Sequence, residues 1–299
     1  MSRARVAAAL ALSLCCCANM LAQAPIQAPS SPEPAKTPTP AAAQPATPSA
    51  TPAAIPVAIK AEPHHHLTLE NAYVRVYRVE IISPDATLLH LHDFPYAYMS
   101  IGHAEFTNAV EGKPEVRIQM DAGQLGYSKG GFSHLIRTID DTPFYNITIE
   151  LLQPQGNVIN SCAKIMEGPL QACPDVQIPV NDNASPVNPV PNAAAKSGPP
   201  APPAITLVLE TEGSTWKTAM FSAKASYPLD VPAPGILLVI APLSQFNVEF
   251  ADGSSKLLSG GDPLWLLPGS PVVITNISEQ KPSALMLFNF KPAPKSASN

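Results

Sequence analysis

The chain has 299 residues and a mild net charge of −5, and no Lys/Arg cluster follows the extreme N-terminus, which argues against nucleic acid as a partner. Of its 36 prolines, 20 fall in the tracts 25–63 and 174–203. Those tracts, rich in Ala, Pro, Thr and Ser, offer few large apolar side chains to bury and are expected to be extended or disordered linkers. Two segments of about a hundred residues remain, 64–173 and 204–292, each of ordinary domain size, with a short tail at 293–299.

Residues 1–24 carry Arg3 and Arg5 followed by the apolar run Val6 to Leu14, too short for a membrane span and suited to a signal peptide. Export to the periplasm or beyond is therefore expected. Two readings of its processing stay open. Ala22-Gln23-Ala24 has the small-x-small form but precedes Pro25, whereas Cys15-Cys16-Cys17 offers a cysteine for lipidation, which would make the first linker a tether to the membrane. The other two cysteines, Cys162 and Cys173, flank a short segment after the first domain. In an oxidising compartment they are expected to form a disulfide, the alternative being two unpaired buried thiols.

Taken in order, His64-His65-His66 opens the first domain. Side chains alternate along an extended chain, so these three cannot all converge on one ion, and a solvated first strand is expected, the alternative being opportunistic metal binding. The run Leu67 to Val79, extended by Glu80-Ile81-Ile82, reads as a strand that turns at Ser83-Pro84-Asp85. Next comes Thr87-Leu88-Leu89-His90-Leu91-His92-Asp93, a strand on which His90 and His92 share one face and Asp93 points away. Further strands are expected at 96–101, 104–110, 115–120, 135–139 and 144–152, with a hairpin turn at Glu111-Gly112-Lys113. His134 follows the glycine-rich stretch from Gly123. His103, Arg117 and Arg137 are expected to face solvent. In the second segment strands are expected at 204–209, 216–223, 236–240 and 246–250, with a turn at Ala251-Asp252-Gly253. Short strands at this spacing, without an amphipathic helix, indicate an all-β protein.

His90 and His92, with Gly123, Gly131 and His134, resemble the paired metal-site motifs of the cupin superfamily. The resemblance implies two double-stranded β-helix, or jelly-roll, barrels. Gly261 to Val272 resembles the second motif again, with Val272 where a ligand histidine would stand and Asn276 at the asparagine that follows. Leu229-Asp230-Val231-Pro232 replaces the histidine pair there. The chain thus resembles a bicupin with one equipped barrel and one bare barrel. The first barrel departs from the family pattern at Lys129 and Thr138, and above all at Tyr96 or Ala97, where a glutamate ligand is expected.

The resemblance implies one divalent ion, Fe, Mn, Ni or Zn, held by His90, His92 and His134 through a face of nitrogens that leaves positions open. The reading against it is that these histidines only hydrogen-bond across the interior. Phe94, Tyr96, Tyr98 and Phe132 could line the pocket, with Tyr96 the candidate catalytic residue. Three functions stay open: a metal-dependent, dioxygenase-like enzyme acting on a small organic substrate, a non-catalytic binder of a small molecule such as a sugar or phenolic compound, or a structural partner of another envelope protein. Exposed barrel edges leave two assemblies open, a homodimer or edges satisfied between the two domains of one chain.

Overall fold

A computed structural model describes residues 55–139, 141–161, 172–177 and 202–292, with the backbone alone for 160, 161 and 172–177. The expected signal peptide lies outside the described residues. So does most of both proline-rich tracts. Of the expected disulfide, Cys162 lies outside them and Cys173 is described in its backbone only.

The first part of the chain forms β1 (Val57–Ala58), β2 (His65–Glu70), β3 (Val74–Ile81), β4 (His90–His92), β5 (Tyr96–Ser100) and β6 (Ala104–Val110). It continues with β7 (Val116–Met120), β8 (Gln124–Ser128), β9 (Phe132–Thr138), β10 (Phe144–Leu151), β11 (Val158–Ser161) and β12 (Ala172–Gln177). The second part forms β13 (Ala204–Thr211), β14 (Ser214–Phe221), β15 (Ser226–Leu229), β16 (Ile236–Ile240) and β17 (Gln245–Phe250). The last strands are β18 (Ser255–Ser259), β19 (Pro263–Leu266), β20 (Val272–Asn276) and β21 (Ser283–Phe290).

These strands build two barrels, each of two facing sheets. In the first, β1-β4-β9-β6-β7 faces β12-β8-β5-β10-β3-β2. In the second, β15-β20-β17-β18 faces β11-β13-β14-β21-β16-β19. The six-stranded sheets also bury their outer faces, in one apolar cluster that draws on both barrels, Val76, Met99 and Ile149 meeting Trp216, Leu237 and Phe288. Being buried on both faces, β5 and β16 are buried along their whole length, and β16 reads as an unbroken apolar run. Tyr127 meets Trp216 edge-on at 5.5 Å, and Tyr73 stacks on Trp265 at 5.5 Å.

Residues 57–62, counted with the linker on composition, belong to the first barrel. Val57 and Ala58 pair in parallel with His90 and Leu91, and a single 3-10 turn, Ile59–Ala61, buries Ile59 before the chain reaches Glu62. The flanking Pro56 and Pro63 had disguised this short apolar run.

Candidate metal centre

The geometry begins with β4 against β9. Their antiparallel register sets His90 directly opposite His134, and alternation turns His92 to the same inner face. The ring centroids lie 4.5 Å apart for His90 and His134, 5.1 Å for His90 and His92, and 4.9 Å for His92 and His134. His92 Nε2 and His134 Nε2 approach to 3.0 Å. All three rings are buried. The glycines before β9 allow this closeness. Gly130 and Gly131 both have positive φ, and a Cβ on Gly130 would stand 2.1 Å from the Phe94 carbonyl oxygen.

A fourth histidine comes from the opposite sheet. His65 on β2 is buried, its ring 4.7 Å from that of His90, and one ring nitrogen from each of His65, His90 and His92 lies within 4.8 Å of the others. His65 departs here from the expectation of a solvated first strand, which holds for His66, Leu67, Thr68 and Glu70. Alternation holds, with His66 exposed and His64 turned aside, and that is why one member of the run can point inward while its neighbours do not.

Glu62 holds this corner together. Its buried carboxylate accepts from His65 Nδ1 at 2.5 Å, His64 Nδ1 at 2.9 Å, the His64 amide at 3.0 Å and the Leu88 amide at 3.1 Å. Burial alone would raise its pKa, but the hydrogen bonds from His65 and His64 outweigh burial and bring it down to about 2. The carboxylate is thus ionised and fully satisfied, and it fixes both β2 and the start of β4.

The hydrogen bonds around the cluster decide which nitrogens are free. His65 donates Nδ1–H to Glu62, His90 donates to the Leu88 carbonyl at 2.8 Å, and His134 donates to Asn108 Oδ1 at 2.7 Å. Each of these rings then carries its lone pair on Nε2, the tautomer a metal ligand requires, that of His134 facing His92. His90 Nε2 and His92 Nδ1 are buried without any partner. Only His92 has an N–H left to give, toward His134, so lone pairs outnumber donors. Burial and the neighbouring imidazoles hold His90 down to about 4 and His92 and His134 well below the ordinary histidine value. His90, His92 and His134 are thus neutral imidazoles facing one another with His65 beside them, an arrangement that a divalent transition-metal ion fits.

The second barrel repeats this ladder position by position. His134 pairs with His90 on one side and with Val110, the last residue of β6, on the other. Val272 likewise pairs with Leu229 and with Phe250, the last residue of β17. Both barrels even bulge at matching places, between Leu67 and Leu69 and between Leu207 and Leu209. Two consecutive barrels of this topology, the first with a His-x-His strand beside a glycine-led histidine strand, are decisive for the fold. In fold, the chain is two consecutive jelly-roll barrels.

Solved structures with a similar course of chain include a cupin 2 conserved barrel domain protein from Leptotrichia buccalis, at 11% identity over 76% of this chain and 88% of that one, with a TM-score of 0.44. A salicylate 1,2-dioxygenase from Pseudaminobacter salicylatoxidans is 11% identical over 73% of this chain and 70% of that one, with a TM-score of 0.45. An oxalate decarboxylase variant from Bacillus subtilis is 12% identical over 75% of this chain and 74% of that one, with a TM-score of 0.43. No family model matches the sequence, and neither does any curated protein. At these identities the likeness concerns the fold alone.

The other sequence-marked residues fall as follows. Tyr96 stacks its ring on His92, with centroids 4.1 Å apart. Its buried hydroxyl completes no hydrogen bond of good geometry, and burial pushes its pKa well above the ordinary phenol value against a weaker pull from Ser128. The phenol keeps its proton, which suits a donor and not a general base. Tyr98 is buried beside it, while Phe94 lies under the Arg75 guanidinium at 5.5 Å. Asp93 is exposed, and Glu105 pairs with Arg117, so neither reaches the histidines. His103 pairs with Asp121 at the surface, and Arg137 is exposed.

Proposed function

We propose that this chain is an exported metalloprotein whose first barrel holds one divalent transition-metal ion through His65, His90, His92 and His134, and that its second barrel serves as a packing partner. The observation that carries the reading is the set of Nε2 lone pairs on His65, His90 and His134, each fixed by an oxygen acceptor on the other ring nitrogen. Such an ion would supply Lewis-acid polarisation of a bound oxygen or, as iron, manganese or nickel, redox chemistry with dioxygen.

The chain's own residues do the rest. Glu62 and Asn108 orient their histidines, and the buried β4–β9 seam keeps bulk water away. Tyr96 offers a hydrogen-bond donor into the interior while its ring fixes the plane of His92. Export rests on the sequence of residues 1–24. The test is calorimetric titration of the metal-stripped full chain with Zn²⁺, Co²⁺ and Fe²⁺. One ion should bind per chain, and His90→Ala should abolish binding with the fold retained by circular dichroism. Failure of every ion to bind would refute the reading.

A further inference from the structure

The interior of the first barrel limits what can reach the histidine cluster. Between its two sheets lies a cavity of about 30 Å³, bordered by His65, His92 and His134 and walled in part by Tyr96, Tyr98, Asn146 and Thr148. Every residue that lines it is buried. That volume admits about two waters. Ordinary small-molecule sites enclose roughly 300–1,000 Å³.

The walls are built to hold something polar. The Tyr96 hydroxyl is buried without a satisfied hydrogen bond, and Thr148 donates to Asn146 Oδ1 at 3.2 Å, which orients the amide. The matching positions of the second barrel, Ile236, Leu238, Leu285 and Leu287, are apolar and packed into one core cluster. A barrel of this ladder therefore folds without those polar walls, and their presence in the first barrel calls for a ligand. Charge narrows its class. No carboxylate lines the cavity, and Glu62 stands behind His65. A divalent ion here keeps its positive charge uncompensated toward the cavity, which favours an anion.

On the metal reading above, we infer that the first barrel's centre takes a small anion or oxygen species of two or three heavy atoms into the chamber walled by Tyr96, Tyr98, Asn146 and Thr148. It excludes sugars, phenols and dicarboxylates. The small organic substrate or phenolic ligand expected from the sequence is larger than the chamber.

The experiment loads the full chain with Co²⁺ and follows its visible spectrum while azide, oxalate and catechol are added in turn. Azide should shift the spectrum saturably, whereas oxalate and catechol should leave it unchanged. Thr148→Leu, which installs the side chain that the second barrel carries at Leu287, should keep Co²⁺ affinity within about threefold and weaken azide by about tenfold or more. Should that variant fail to fold, Tyr96→Phe keeps the ring against His92 and should weaken azide about fivefold. Co²⁺ uptake without an azide response, or oxalate or catechol binding as well as azide, would overturn the chamber while leaving the metal reading intact. Absence of Co²⁺ uptake would overturn both.

Discussion

In the first barrel β5 and β10 turn Tyr96, Tyr98, Asn146 and Thr148 inward, and at the matching positions of the second barrel β16 and β21 turn Ile236, Leu238, Leu285 and Leu287 inward. The registers are the same: Thr148 faces Tyr98 across the ladder as Leu287 faces Leu238. Where the first barrel sets His90, His92 and His134, the second sets Leu229, Val231 and Val272, which join its apolar cluster. One backbone plan thus carries two interiors. The first gives up apolar packing for a polar pocket, and the shared cluster between the barrels compensates by burying the outer faces of both six-stranded sheets.

This difference should appear first in stability. Leu287→Ala removes side-chain volume from a filled interior and should cost about 2–5 kcal/mol in chemical denaturation. Thr148→Ala, at the matching position beside an existing cavity, should cost less than about 1 kcal/mol. Equal losses would show that the two interiors are packed alike.

The support behind the histidines comes next. Glu62→Gln keeps the shape but removes the charge that fixes His65, and it should weaken metal binding about 10- to 100-fold, as measured by competition with a chelator. An unchanged affinity would separate His65 from the centre. In the opposite direction, Val272→His places an imidazole at the position that matches His134. Val248 holds the ladder position that Asn108 holds in the first barrel, so the new ring lacks that acceptor, and the variant should lose about 1–3 kcal/mol and gain no metal. Uptake of a second ion would show that the ligand position alone is enough.

Much of this was legible in the sequence, for particular reasons. The His-x-His strand announced itself because alternation puts both rings on one face, and the glycines before His134 marked the turn that brings β9 against β4. The match of Val272 with His134 followed from the spacing after Gly261, and the ladder repeats it. Other elements left no such signature. Strand β21, Ser283–Phe290, lies inside its sheet and carries no alternation to mark it, because it is buried on both faces. Strand β18, half exposed and mixed in character, carries none either.

The fourth histidine and Glu62 were hidden by composition and by distance. Glu62 stands between prolines in a tract that reads as linker, and its partner Leu88 is 26 residues away in sequence. The one available hint was local: a glutamate three residues before a histidine, as in the Glu62–His65 bond. Asn108 carried none, since only the pairing of β6 with β9 brings it to His134.

The most direct test of one equipped barrel and one bare barrel is elemental analysis of the full chain, produced by export without a histidine tag and freed of loosely held ions. The wild type should carry one transition-metal ion per chain. His65→Ala and His134→Ala should each lose it, while His103→Ala at the surface keeps it. A wild type that takes up no metal even on titration, or a His65→Ala variant that holds its ion as firmly as the wild type, would contradict the four-histidine centre.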